Sequence, residues 1–351
     1  MTKFCVFCGR SPIRKTKEHV FPLWLIQLSG EPKRPLKLRV PHDPSVNLPT
    51  KISFDSLHFP ACKRCNSRFS EVEGEAKGTV EKMLKEGTIS CKEIHVFLDW
   101  LDKVRTGLWL GALYLGNNPF EIRPLFYVSS RVGGKDRMVV IYRAPVGPKG
   151  LSAIGFTTPL FLHHPVCFSL WINHLCFLNV STDFLISRRL GFPHPATTFF
   201  DQDGLPGYEI APGRERAMLP LVKFNYSTLG TEIFQSIFHQ RLSRKVSPGL
   251  ANLYEAKYVK RFSMLHESGI GKPLIQEGQS LRPYPDTPAT DWLPAQTISF
   301  DDLLRLSVEQ TLRIQARLVD DAPIPRAATK LFNRLRNLNG EILKKFQKGQ
   351  D

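Results

Sequence analysis

Two Cys-x-x-Cys pairs, Cys5 with Cys8 and Cys62 with Cys65, constrain this chain more than any other feature. A two-residue gap lets both sulfurs of a pair turn toward one tetrahedral ion at about 2.3 Å, so the four thiolates predict a structural Zn²⁺ site rather than two disulfides. The 53 residues between Cys8 and Cys62 exceed the short loop of a plain zinc ribbon, so something folded must lie between the knuckles. Cys91, Cys167 and Cys176 stand at no ligand spacing and are read as ordinary thiols. No basic stretch followed by an apolar one opens the chain, so no signal peptide is expected. The reducing cytoplasm is then the expected compartment, where such a cysteine pattern takes up metal.

Charge says more about partners than about fold. Lysine and arginine outnumber the acids 48 to 32, a formal excess of +16, while 42% apolar content is too high for a disordered polybasic tail. A folded protein with such an excess is expected to bind a polyanion, and nucleic acid is the expected partner, DNA ahead of RNA. A regulatory protein partner or a homo-oligomer is compatible with the chain. A membrane is not: the most apolar region, Leu151 to Val180, is broken by His163, His164, Pro165, Asn173 and His174. Those histidines, in an apolar run, are read as hydrogen-bonded core residues.

With 351 residues, two or three domains are expected, α+β overall. Residues 1–80 form the first unit; up to residue 70 they carry 13 basic side chains against Glu18, Glu31, Asp43 and Asp55, together with both cysteine pairs. Residues 81–235 are predicted as a helix followed by a mixed β-sheet domain, and 236–351 as a mainly helical, basic region. His95 to Leu115 shows helical periodicity and becomes apolar nearly all round, so it is predicted to cross a core. Strands are predicted over Pro124 to Ser129, Arg137 to Arg143, Ala153 to Phe161 and Cys167 to Val180. Residues 183–220 read as surface connections, and helices are predicted over Glu232 to Leu242, over Leu250 to Leu265, after a cap at Ser299, and at the basic C-terminus.

Inside the long cysteine gap stands Glu18-His19-Val20-Phe21-Pro22-Leu23-Trp24-Leu25, and directly after the second knuckle comes Asn66, in Cys62-Lys63-Arg64-Cys65-Asn66. In that order and spacing the motifs resemble the HNH nucleases, the ββα-metal fold in which a β-hairpin and a helix grip one divalent ion. The likeness is strongest to a bacterial subgroup with two Cys-x-x-Cys knuckles, and covers about the first 75 residues. It implies a zinc-stapled ββα-metal module that hydrolyses phosphodiester bonds. In it His19 would be the general base, Glu18 and Asn66 the ligands of a catalytic Mg²⁺ or Mn²⁺, and the four cysteines the holders of a structural zinc. A role in phage defence or restriction follows from the lifestyle of the family. Pro22 and Trp24 are read as packing residues.

The residue types suit that chemistry. Histidine titrates near neutrality and can take a proton from water, while a carboxylate and an amide oxygen are hard donors for a magnesium-like ion. Lys17, Lys63, Arg64 and Arg68 flank the site and suit phosphate contacts. One departure stands out: the family's middle residue, usually asparagine, would fall near Leu57, where His58 and Asp55 are the nearest polar substitutes and Asn47 a further one. Ser70 and Glu73 are alternative positions for the last ligand. Two other readings stand beside the nuclease: a zinc-knuckle protein that binds nucleic acid without cutting it, and a degenerate module kept for structure.

Overall fold

The computed structural model describes residues 4–34, 58–115, 118, 120–192, 194–200, 206–211, 214, 216–222, 229–237, 270–294, 298–321 and 326–348. The chain is α+β, with helices at its C-terminal end. Strand β1 (Lys15–His19), helix α1 (Leu23–Leu28), strand β2 (His58–Cys62) and helix α2 (Lys63–Leu84) come first. Helix α3 (Cys91–Leu115) and the short α4 (Val128–Arg131) lead into β3 (Asp136–Arg143), β4 (Leu151–Ile154), α5 (Pro159–His163), β5 (Cys167–Ile172) and β6 (Leu175–Thr182). Then follow the hairpin β7 (His194–Phe200) and β8 (Pro206–Ala211), β9 (Gly230–Gln235), β10 (Leu274–Glu277), β11 (Ser280–Pro283), α6 (Phe300–Asp321) and α7 (Arg326–Lys348).

The larger sheet runs β11-β10-β9-β3-β6-β5-β4. Its pairings are all antiparallel, where a mixed sheet was predicted. Strands β3 to β6 are buried on both faces. Along β3, Val139 and Ile141 pack into a cluster that extends without a break through α3 to the cysteine knuckles, while Met138, Val140 and Tyr142 pack into a second cluster under α6 and α7. Alternation along a strand thus feeds two cores at once.

Other departures follow from the same double burial. The predicted helix at Glu232 to Leu242 is, in its described part, strand β9, whose Ile233 and Phe234 enter opposite cores. A strand buried on both sides has no period-2 signature to set it apart from helix. Within 183–220, Leu185, Ile186, Leu190 and Phe192 are buried rather than surface-bound, and β7 and β8 pair there. The carboxylate of Asp136 holds this segment by accepting from the backbone N–H of Ile186 (2.8 Å) and Ser187 (2.6 Å). The strand predicted over Ala153 to Phe161 ends at Ile154, because Thr158 caps α5 by accepting from the Phe161 N–H at 3.1 Å, with Pro159 after it. Over Pro124 to Ser129 the chain is irregular until α4 begins. The helix predicted over Leu250 to Leu265 lies outside the described residues. Among the described residues no helix is long and apolar enough to cross a membrane.

Candidate metal centre and hairpin site

The four cysteines meet. Their sulfurs all lie within 4.8 Å of one another, against the roughly 3.8 Å between sulfurs that tetrahedral Zn–S bonds of about 2.3 Å require. The first pair sits in a tight turn closed by the Gly9 N–H on Cys5 O (2.8 Å) and the Cys5 N–H on Arg10 O (2.8 Å). Gly9 has φ +74°, and a Cβ there would lie 2.2 Å from the Tyr127 ring, so no larger residue fits the knuckle. The second pair lies where β2 becomes α2, with Cys62 at the N-cap and Cys65 in the first turn. Backbone N–H groups point at sulfur: Cys62 N–H to Cys5 Sγ at 3.2 Å and Ile13 N–H to Cys62 Sγ at 3.3 Å.

Four thiols this close oppose one another's ionisation. Burial and the nearby Cys5 and Cys8 push the Cys65 thiol up to about 12. Cys8, which burial would raise, is instead brought down to about 7 by hydrogen bonds from Arg10, Cys5 and Cys65. A soft divalent cation relieves that conflict, so the donor set fits structural zinc.

The knuckles anchor one end of a β-ladder whose other end carries histidine. Strands β1 and β2 pair antiparallel from Lys15 opposite Cys62 to His19 opposite His58, four steps or roughly 13 Å. The His19 and His58 rings lie 5.7 Å apart between centroids, tilted by 46°. His58, one of the two nearest substitutes for the family's middle residue, therefore faces His19 directly, and its Nδ1 is buried with no hydrogen-bond partner. Asp55 and Asn47 lie outside the described residues.

Helix α2 lies against the hairpin through Asn66, whose side-chain amide donates to Thr16 Oγ1 (3.1 Å) and to the Lys17 carbonyl (3.2 Å). Glu18 lies next along β1 and, by strand alternation, points away from the His19 side. It is only 7% exposed, and the ammonium of Lys103 on α3 pairs with it and with Glu73 on α2. Burial raises the pKa of Glu18, with Lys103 acting against the rise. Burial also works against the charge on Lys103, but the two carboxylates outweigh it and hold the lysine above its ordinary value. The arrangement therefore does not present Glu18 and Asn66 as an open pair for Mg²⁺ or Mn²⁺: the carboxylate faces an ammonium, and Asn66 gives its nitrogen to β1. Ser70 caps back onto the Ser67 carbonyl (2.7 Å).

The four basic side chains expected to contact phosphate are exposed. Lys17 lies on β1, and Lys63, Arg64 and Arg68 on the first turns of α2. Arg10 and Arg14 join Lys63 and Arg64 around an open hollow of about 530 Å³ beside the cysteines. Trp24 packs on Trp100 at 5.8 Å, as a packing residue should. His164 is pushed down to about 3 by burial, with Lys135 and Arg131 adding to the shift, and so stays neutral in the core.

Lys103 is the site residue that motif reading does not reach. Helix α3 carries Asp99, Asp102 and Arg105 as well as Lys103, so no local pattern singles out Lys103 as the one that reaches Glu18. Comparison of the chain with protein-family models, with curated proteins and with solved structures returned no match.

Proposed function

We propose that this chain is an endonuclease of the HNH type that hydrolyses phosphodiester bonds in nucleic acid, DNA ahead of RNA, through the unit built of β1, β2 and α2. The observation that carries the reading is the convergence of separate motifs on one hairpin: the cysteine cluster at one end, His19 facing His58 at the other, and Asn66 fastening α2 to β1 between them. In this reading His19 takes the proton of the attacking water, and His58 steadies it in place of the family's asparagine. The hollow edged by Arg10, Arg14, Lys63 and Arg64 supports contact with phosphates flanking the cut. A place in restriction or phage defence belongs to the same proposal.

The test is cleavage of supercoiled plasmid, single-stranded DNA and RNA by zinc-loaded protein without added divalent ion, in Mg²⁺ or in Mn²⁺, with His19→Ala alongside. His19→Ala is expected to lose about 100-fold or more in cleavage rate with the fold intact. Undiminished cleavage by the variant would move the base elsewhere. A second reading rests on Lys103, whose hold on Glu18 favours a zinc-held module that binds nucleic acid without cutting it. Salt-sensitive binding with no cleavage under any of these conditions would select that one.

A further inference from the structure

Four side chains line the contact between α2 and β1. Thr16 and Glu18 alternate onto one face of the strand, and Asn66 and Glu73, about two turns apart, share one side of the helix. Into this interface α3 sends a side chain that is only 3% exposed, the ammonium of Lys103, which pairs with Glu18 and Glu73 together. The two carboxylates come from different elements and meet through that cation. If Lys103 lost its charge while keeping its bulk, the buried Glu18 and the half-buried Glu73 carboxylates would face each other uncompensated, a costly state that a divalent cation or protons would relieve.

Resting on the nuclease reading of β1, β2 and α2, we propose that Lys103 is a built-in cation that competes with divalent metal for Glu18, so that helix α3 sets the metal affinity of the hairpin site. It is a positioning residue: it acts through Glu18 and Glu73 and touches no substrate. Its contribution is to keep Glu18 fixed and neutralised, so that a divalent cation can reach the Glu18 and Glu73 carboxylates only by displacing the ammonium. The competition is one of charge for charge, since the ammonium supplies one positive unit to a pair of carboxylates and a divalent ion supplies two.

The experiment uses full-length, zinc-loaded protein and Mn²⁺ as the probe, its binding followed by the electron paramagnetic resonance of the free ion and by the thermal melt. Lys103→Met is expected to tighten Mn²⁺ binding by about ten-fold or more, the equivalent of relieving part of an uncompensated buried carboxylate. Adding Glu18→Gln to Lys103→Met should remove the gain. Should Lys103→Met melt early or arrive unfolded, Mn²⁺ is expected to restore its melt, whereas the same zinc-loaded protein without added divalent ion stays destabilised. Mn²⁺ affinity equal to wild type in a folded variant, or an unfolded variant that Mn²⁺ does not rescue, overturns the proposal. Because the readout is metal binding, the two ideas fail separately: a flat response to Lys103→Met alongside cleavage that depends on His19 removes only the competition, and tightened Mn²⁺ binding in a chain that cuts nothing removes only the nuclease.

Discussion

Replacing Cys62 by serine tests the cysteine cluster where its contribution can be estimated. Cys62 is both the last residue of β2 and the N-cap of α2, and its backbone N–H already reaches the sulfur of Cys5, a partner 57 positions away in sequence. An ion shared by the two knuckles closes that loop as a covalent bridge would, and closing a loop of this length removes about 4 kcal/mol of chain entropy from the unfolded state. The bonds to zinc come on top, since metal affinity at such a site is folding free energy. Loop closure alone therefore predicts a fall in Tm of about 8–16 °C, taking roughly 2–4 °C per kcal/mol. Melts of wild type, chelator-treated wild type and Cys62→Ser, with zinc content measured on each, check the figure. Hydrogen exchange should show β1 losing protection while β3 and β6 keep theirs, because those strands lie in the sheet beyond α3. A variant that binds no zinc, yet melts with the loaded protein and retains slow exchange across Lys15–His19, would sink the reasoning.

Two further perturbations probe the frame around the site. Gly111 on α3 faces the Phe59 ring of β2, and a Cβ there would stand 3.1 Å from Phe59 Cζ, so Gly111→Leu is expected to overpack the seat of the hairpin. It should cost about 1–3 kcal/mol in urea unfolding, and no loss would show that the hairpin is not seated there. Glu232, 6% exposed on β9, is pushed by burial up to about 8. Its folded-state pKa lies above the unfolded one, so the folded chain holds the proton more tightly: stability is full below about pH 4.3 and is lost as pH rises toward 8. Glu232→Gln should leave stability nearly unchanged at pH 5 and gain roughly 3–5 kcal/mol over wild type at pH 9; a difference independent of pH would contradict this.

What could be read in the sequence was whatever local rules alone determine. Helix α3 was legible because an apolar periodicity of that length admits no strand, and α6 because the Ser299 hydroxyl accepts from the Asp302 N–H at 3.2 Å, a start signal written in adjacent residues. The run Cys167 to Val180 was visible as β structure, although its division into β5 and β6 hangs on Asn173, which takes φ 55° at the turn. Strand β9 was misread, and so was the segment around Ile186, because their character comes from distant partners: one is apolar toward two cores, the other is held by Asp136, some 50 positions away. The site divides in the same way. The cysteines and the Glu18-His19 pair carry their spacing in the sequence, whereas the hold of Lys103 on Glu18 spans 85 positions and has no local trace.

The buried charges of α3 explain why the hairpin and the sheet share a wall. Lys103, Gly107 and Gly111 recur every fourth residue, one stripe of a helix, and that stripe meets Glu18, Val20 and Phe59 in turn. Asp102, Arg105 and Trp109 form another stripe: Arg105 binds Asn179 of β6 at 2.6 Å, the Trp109 indole N–H binds the Leu162 carbonyl at 2.7 Å, and Asp102 pairs with Arg137 of β3 at 3.2 Å. Burial works against the charge on Asp102, but Arg105 and Arg137 outweigh it and hold its pKa low, so the sheet-side network stays ionised. Such networks fix register because a slipped neighbour would strand a charge in the core. One helix therefore carries two charge sets that cannot both be satisfied unless hairpin and sheet sit at one mutual angle. Any force on the sheet that rotates α3 would reach Glu18 through Lys103.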